Sequence, residues 1–308
     1  MVESQVNRVQ PTEAFLRRRR RVGTIMHGVL LAAASVSVFV TAGIVYILLS
    51  ESWTFFQEVS IIDFLTGTRW TPMFASKHFG ILPLLSATLT VTVVALAVAI
   101  PGGTLVAIYL SEFAPAKLRE VIKPLLELLE GIPTVVYGYF ALLFVTPMLQ
   151  IFLPDLRGFN LLSPGLVMGI MILPYVTSVS EDAMRAVPQR LREGAYALGF
   201  NRLQTAVRVV MPGALSGITA AYVLGMSRAI GETMVVAIAA GQMANLTFNP
   251  MEAAATIPAY IVQVAIGDVG HGTIAYQTIF AAGATLFVIT LTFNVIGFVL
   301  RRRYREVY

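Results

Sequence analysis

Six stretches of this chain, at approximately 22–50, 82–111, 121–153, 163–181, 211–241 and 273–300, are long and apolar enough to cross a lipid bilayer. A span needs roughly 20 apolar residues, and inside lipid the backbone must satisfy its own hydrogen bonds, which selects helices. The predicted fold class is therefore an all-α membrane protein with six transmembrane helices. Charged residues make up only 13% of the chain, about half the share of a soluble domain. One domain over 22–300 is expected, between basic tails at 1–21 and 301–308. The first apolar run far exceeds the 7–15 residue core of a cleavable signal, so it reads as a retained span. Pro101, the Gly131–Pro133 break and Pro174 fall inside predicted spans, where packed neighbours make such breakers tolerable. Trp53 and Trp70 follow the first span, at the depth aromatic rings favour.

Basic residues set the orientation. With six spans and the amino terminus inside, the inner segments hold 18 of the 22 lysines and arginines, clustered at Arg17–Arg21, 117–123, 185–208 and 301–305. The outer segments hold Arg69, Lys77 and Arg157. This asymmetry predicts that both termini are cytoplasmic. It also accounts for the net charge of +5 without nucleic acid, since the basic residues flank apolar runs rather than interleaving with aromatics. The chain has no cysteine, which excludes disulfides and thiolate chemistry. His27, His78 and His271 lack ligand spacing, so no metal site is expected. No phosphate-cradling Gly-Lys-Ser/Thr loop and no Gly-x-Ser-x-Gly motif occurs, and Gly102 and Gly103 read as helix-packing contacts.

A polar interruption at 182–210 separates the fourth and fifth spans. Gln189 to Leu198 forms a helix after Pro188, with Leu191, Ala195 and Leu198 on one stripe. Gly199 permits the left-handed backbone that ends such a helix, and Glu193 offers a carboxylate to a basic partner. An amphipathic helix lying on the membrane surface would read the same way. The spacing Glu193-x-Ala195-x3-Gly199-x9-Val209-x-Met211-Pro212 resembles the coupling loop of ABC importer permeases, which docks into an ATPase subunit. Gly194 stands where that family usually has alanine, and Val209 and Met211 where it has isoleucine and leucine. The resemblance implies that Glu193, Gly194, Ala195 and Gly199 couple the permease to the ATPase.

The fifth span carries Arg228-Ala-Ile-Gly-Glu232-Thr-Met. Arginine inside a membrane costs at least about 2.5–3.5 kcal/mol, so it should face the bundle or a wet cavity. On a continuous helix Glu232, four residues on, shares its face. One reading is an ion pair that holds helices together. The other is an anion station, because a guanidinium suits phosphate geometry and a nearby carboxylate keeps binding weak enough for release. The segment Arg228–Val236, together with Glu130-Gly-Ile-Pro133-Thr-Val-Val-Tyr-Gly138, resembles phosphate importer permeases of the PstC type over roughly residues 80–300. A PstA-type sister usually continues Gly-Glu-Thr with Ala-Pro.

That resemblance implies a six-span ABC importer permease with a cytoplasmic coupling helix, moving inorganic phosphate across the cytoplasmic (inner) membrane of a bacterium or archaeon. It implies a second, PstA-type permease, two ATPase subunits and an extracytoplasmic phosphate-binding protein, all assembled in membrane lipid. The chain would be a transport subunit rather than an enzyme. It would bind no cofactor, and ATP would be used by its partner. Arg228 and Glu232 are the candidate translocation residues, and Glu130 and Pro133 the candidate pathway or gate residues. Glu127 and Glu130 also fit a plainer role at a helix start, with Lys123 four residues before Glu127. A permease for sulfate or molybdate would share the coupling loop. An ion-gradient transporter would instead show inverted repeats and midplane acids, and a membrane enzyme would need a nucleophile or metal set.

Overall fold

The computed structural model describes residues 13–303, with side chains over 19–299 and at Arg302. Much of both basic tails therefore lies outside the described residues. The chain forms two compact units, Met1–Ser50 and Glu51–Tyr308. In the first, the helix α1 (Glu13–Glu58) exposes its apolar side chains, with Phe39 at 76% and Val38 at 68%.

The second unit holds the last turns of α1 and all other elements. They are α2 (Ile61–Thr66), α3 (Leu82–Ile108), α4 (Ala116–Glu130), α5 (Thr134–Phe140), α6 (Thr146–Phe152), α7 (Leu162–Arg185), α8 (Gln189–Ala197), α9 (Arg202–Thr205), α10 (Met211–Gly213), α11 (Leu215–Gly231), α12 (Met234–Ala239), α13 (Ile257–Ala265) and α14 (Ile274–Arg303). Short π-helical turns extend α3 through Phe113, join α5 to α6 over Ala141–Val145, and join α9 to α10 over Ala206–Val210. Among the described residues the sole β pairing is an isolated bridge between Trp70 and Phe79.

Among the described residues five helices are long and apolar enough to span a membrane, and a bent pair, counted as one span, makes a sixth. Three details depart from the sequence reading. The predicted third span, 121–153, is two elements: α4 has no buried residue, and the apolar crossing is Thr134–Phe152. The charged side chains of α4 and the Gly131–Pro133 break explain the split, since Pro133 disfavours helix at the residue before it. The fifth span is broken twice. Arg202–Gly213 and Leu215–Gly231 meet at 73°, and α11 ends at Gly231 before α12 begins. Trp70 is not an interfacial ring. It is 4% exposed, edge-on to Tyr260 and Phe64 in an aromatic core that includes Phe55.

The centre of the bundle is the packing of α3 on α7. A Cβ on Gly169 would lie 2.7 Å from the Val98 Cβ and 2.8 Å from the Ala95 carbonyl oxygen, and one on Gly165 would meet Val94. These two glycines, four apart on one face, let the backbones approach as small residues do in membranes. Gly103 on α3 makes the reciprocal approach to Val176. Two polar contacts reinforce the layer: the Thr177 hydroxyl donates to the Gly103 carbonyl at 3.2 Å, and Thr104 and Tyr222 share a 2.6 Å hydrogen bond that adds α11. Each hydroxyl finds a partner, as burial in an apolar bundle requires.

Candidate functional site

At one polar end of the bundle, α8 starts directly after Pro188 and ends before Gly199, whose φ of +85° is the left-handed conformation that glycine adopts at least cost. Asn201 then opens α9 with a reciprocal capping box to Gln204. The loop is thus a helix, a glycine turn and a capped helix, held by local sequence signals. Its faces differ from the expected stripe. Ala195 is buried against its own chain, whereas Leu198 is 80% exposed and Leu191, Glu193 and Gly194 are also exposed. The outward apolar residues are therefore Leu191 and Leu198, with Tyr196 and Leu203 beside them in the exposed set.

Arg192 is the residue that fixes this helix, and the sequence reading counted it only as an inner positive charge. It is 8% exposed. Its guanidinium donates to both Glu112 carboxylate oxygens at 2.9 and 3.3 Å, and to the carbonyls of Val187 at 2.6 Å and Met184 at 2.8 Å. Glu112 also accepts from the Ser111 hydroxyl at 2.8 Å. One planar fork therefore ties α8 to the end of α3 and to the end of α7. A signal was present: Arg192 and Ala195 are three apart, so they share a face.

A second clamp joins α4 to α7. The Lys123 ammonium donates to Glu181 at 2.8 Å and also to Asp182, and Arg185 stands 3.7 Å from Glu181, which is 1% exposed. Lys123 does not take Glu127 as its partner, as sequence proximity suggested. The two carboxylates of α7 offer hydrogen bonds that an exposed (i, i+4) neighbour cannot match. Burial lowers the Lys123 pKa, but the hydrogen bonds and charges of Asp182 and Glu181 outweigh it and leave the group above its ordinary 10.5.

The break in the fifth span separates Arg228 from Glu232. Glu232 has extended backbone (φ −66°, ψ 128°), and its carboxylate accepts from the amides of Met234 at 3.1 Å and Val235 at 3.3 Å. The predicted (i, i+4) ion pair is therefore absent: the helix stops at Gly231, and the carboxylate caps the first turn of α12 instead. Arg228, exposed in the last turn of α11, forms no hydrogen bond or ion pair with any described residue. Its charge reaches Tyr137 on α5.

Glu130 is the last residue of α4 and half-buried; Pro133 is exposed and precedes α5. The Tyr137 hydroxyl donates to the Leu129 carbonyl at 2.8 Å, bridging the break between them. Gly138 sits against Ile238 and the Met234 carbonyl, so α5 packs on α12. The two broken segments, read separately in the sequence, are thus neighbours in the fold. Among the described residues no three histidine, aspartate or glutamate side chains group as metal ligands.

Residues 99–306 match the family described as the binding-protein-dependent transport system inner membrane component. The chain is 37% identical over 235 residues to a probable ABC transporter permease protein, YqgH, of Bacillus subtilis (strain 168), covering 76% of each chain. It is 31% identical over 300 residues to the phosphate transport system permease protein PstC of Mesorhizobium japonicum, covering 90% of this chain and 89% of that one. A bacterial ABC transporter involved in import of the acidic polysaccharide alginate shares the fold, with a TM-score of 0.63 at 19% identity over 93% of this chain and 100% of its own.

Proposed function

The chain belongs to the family of inner-membrane components of binding-protein-dependent transport systems, and from that premise we propose that it is the permease subunit through which an ABC importer moves inorganic phosphate. The observation that carries the substrate is Arg228. An unpaired guanidinium in a span helix is costly unless something answers it. It stands at a break in the helix, beside the α5–α12 contact, and its planar donors suit a tetrahedral oxyanion. A relative at 31% identity named as a phosphate transport system permease supports the same choice.

In this reading Arg228 meets the anion, while Glu232 holds the break in shape and supplies negative charge that speeds release. Glu130 and Pro133 flank the other break and belong to the pathway or its gate. The loop 182–210 meets the ATPase through Leu191, Glu193, Gly194 and Leu198. Ala195 and Gly199 shape that surface from behind and at its end. The partners are a PstA-type permease, two ATPase subunits that hydrolyse the ATP, and an external phosphate-binding protein; this chain holds no cofactor of its own. The permease domain is 22–300, both termini are cytoplasmic, and 1–21 and 301–308 are cytoplasmic basic tails, a placement that the distribution of arginine and lysine supports.

The test is uptake by the assembled importer in vesicles, with sulfate and molybdate as competitors. Phosphate should be taken up with neither rival displacing it, and Arg228→Lys should assemble normally but transport poorly, since the charge remains and the planar fork is lost. Preferential uptake of sulfate or molybdate would move the chain to another oxyanion. Wild-type uptake by assembled Arg228→Met would remove Arg228 from the pathway.

A further inference from the structure

The polar end that carries α8 also carries a cleft of about 340 Å³. Arg119, Arg185, Arg192, Arg202, Glu112 and Tyr196 are among its lining residues, and the lining is almost wholly polar. Their charges are not equally engaged. Arg192 and Glu112 neutralise each other and form a closed pair. Arg185 reaches only Glu181, at 3.7 Å. The side chains of Arg119 and Arg202 form no hydrogen bond or ion pair with any described residue. Three guanidinium groups besides Arg192 thus line one small cleft whose one lining carboxylate, Glu112, is already taken by Arg192. Like charges so placed repel, and a multivalent anion relieves the repulsion while accepting their paired donors.

We propose that this cleft binds a phosphate group on the cytoplasmic side and that its occupation slows coupling. The lining comes from the end of α3, from α4, from the end of α7, and from α8 and α9. An anion held there braces the coupling helix against the ends of two spans and resists its movement. In an importer of phosphate, the delivered substrate would restrain its own entry; this regulatory meaning rests on the function proposed above, whereas the binding does not. Two sources share the chemistry, free phosphate and the headgroup of an anionic lipid.

The experiment uses the assembled importer in nanodiscs of neutral phosphatidylcholine. Inorganic phosphate is raised well beyond saturation of the binding protein, and ATP hydrolysis is read relative to the same variant without the excess. Wild type should be inhibited, and Arg119→Gln/Arg202→Gln should raise the half-inhibiting concentration about tenfold, the expected loss for charge-assisted hydrogen bonds. Inhibition by product at the ATPase itself is the same in both proteins, so identical curves would overturn the proposal. In phosphatidylglycerol nanodiscs without excess phosphate, activity that is already lowered and is restored by the double variant would keep the site and name the headgroup as its source. Indifference of the wild type to both phosphate sources, with loss of the ATPase subunit from Arg119→Gln/Arg202→Gln, would overturn it in favour of a docking surface. Should the importer carry another oxyanion, the stimulating external substrate changes but the response to phosphate in the cleft remains.

Discussion

Arg192 and Arg228 are the same side chain in opposite circumstances. Arg192 is 8% exposed, and four of its five donors are taken by a carboxylate and two carbonyls. Arg228 is exposed in the last turn of an apolar helix and has no hydrogen-bond or ion-pair partner among the described residues. A charge with four of its five donors answered by the protein has little left for a ligand, and it serves to hold elements in register. A charge left open in an apolar helix is available to whatever anion passes. The difference lies in the surroundings: Arg192 faces two carbonyls at the end of α7 and the Glu112 carboxylate at the end of α3, while the extended Glu232 turns its carboxylate away from Arg228 onto the α12 amides.

The largest expected effect tests this contrast directly. Arg192→Met strands the Glu112 carboxylate, 6% exposed, and should cost about 3–5 kcal/mol. Thermal denaturation of the assembled complex should fall accordingly, and Arg192→Met/Glu112→Leu should recover most of it. Arg228→Met should leave denaturation unchanged or slightly improved while abolishing uptake. Equal destabilisation by both single changes would erase the distinction.

The clamp at Lys123 sits between the two cases, because its ammonium is 27% exposed. Lys123→Met should cost about 1.5 kcal/mol, a charged hydrogen bond discounted for solvent. The folded-state pKa is raised above the ordinary 10.5, so this contribution is full below that value and is lost as pH rises through the folded pKa. The stability gap between wild type and Lys123→Met should therefore be flat near neutral pH and close in strong alkali. A gap that closes near neutrality would refute the clamp.

Gly199→Ala forces a Cβ into a left-handed position that has no steric neighbour, so backbone strain alone acts, about 1 kcal/mol. Substrate-stimulated ATP hydrolysis should drop while the spans stay assembled. Unchanged stimulation would detach the turn from coupling. Smallest is Glu232→Gln, which keeps an oxygen for the Met234 and Val235 amides and loses only charge, about 0.5 kcal/mol. Its denaturation should barely move, and its phosphate affinity should rise if the carboxylate aids release. Lower affinity would reverse that role.

The sequence by itself determined the all-helical membrane class, most span positions, the loop helix with its glycine turn, and the Gly131–Pro133 break, but not the one after Gly231. Those features are local: apolar runs, a proline before a helix, a glycine after it, and a motif at fixed spacing. The sequence could not place the ends of broken spans, because helix continuity from α11 to Glu232 depends on what α5 and α12 pack against. Nor could it choose partners for charges. Arg192 and Glu112 are 80 residues apart, and Lys123 and Glu181 are 58 apart. A local pattern cannot weigh a nearby exposed carboxylate against a distant buried one. Only packing decides that, by removing water from one pair and leaving the other in it.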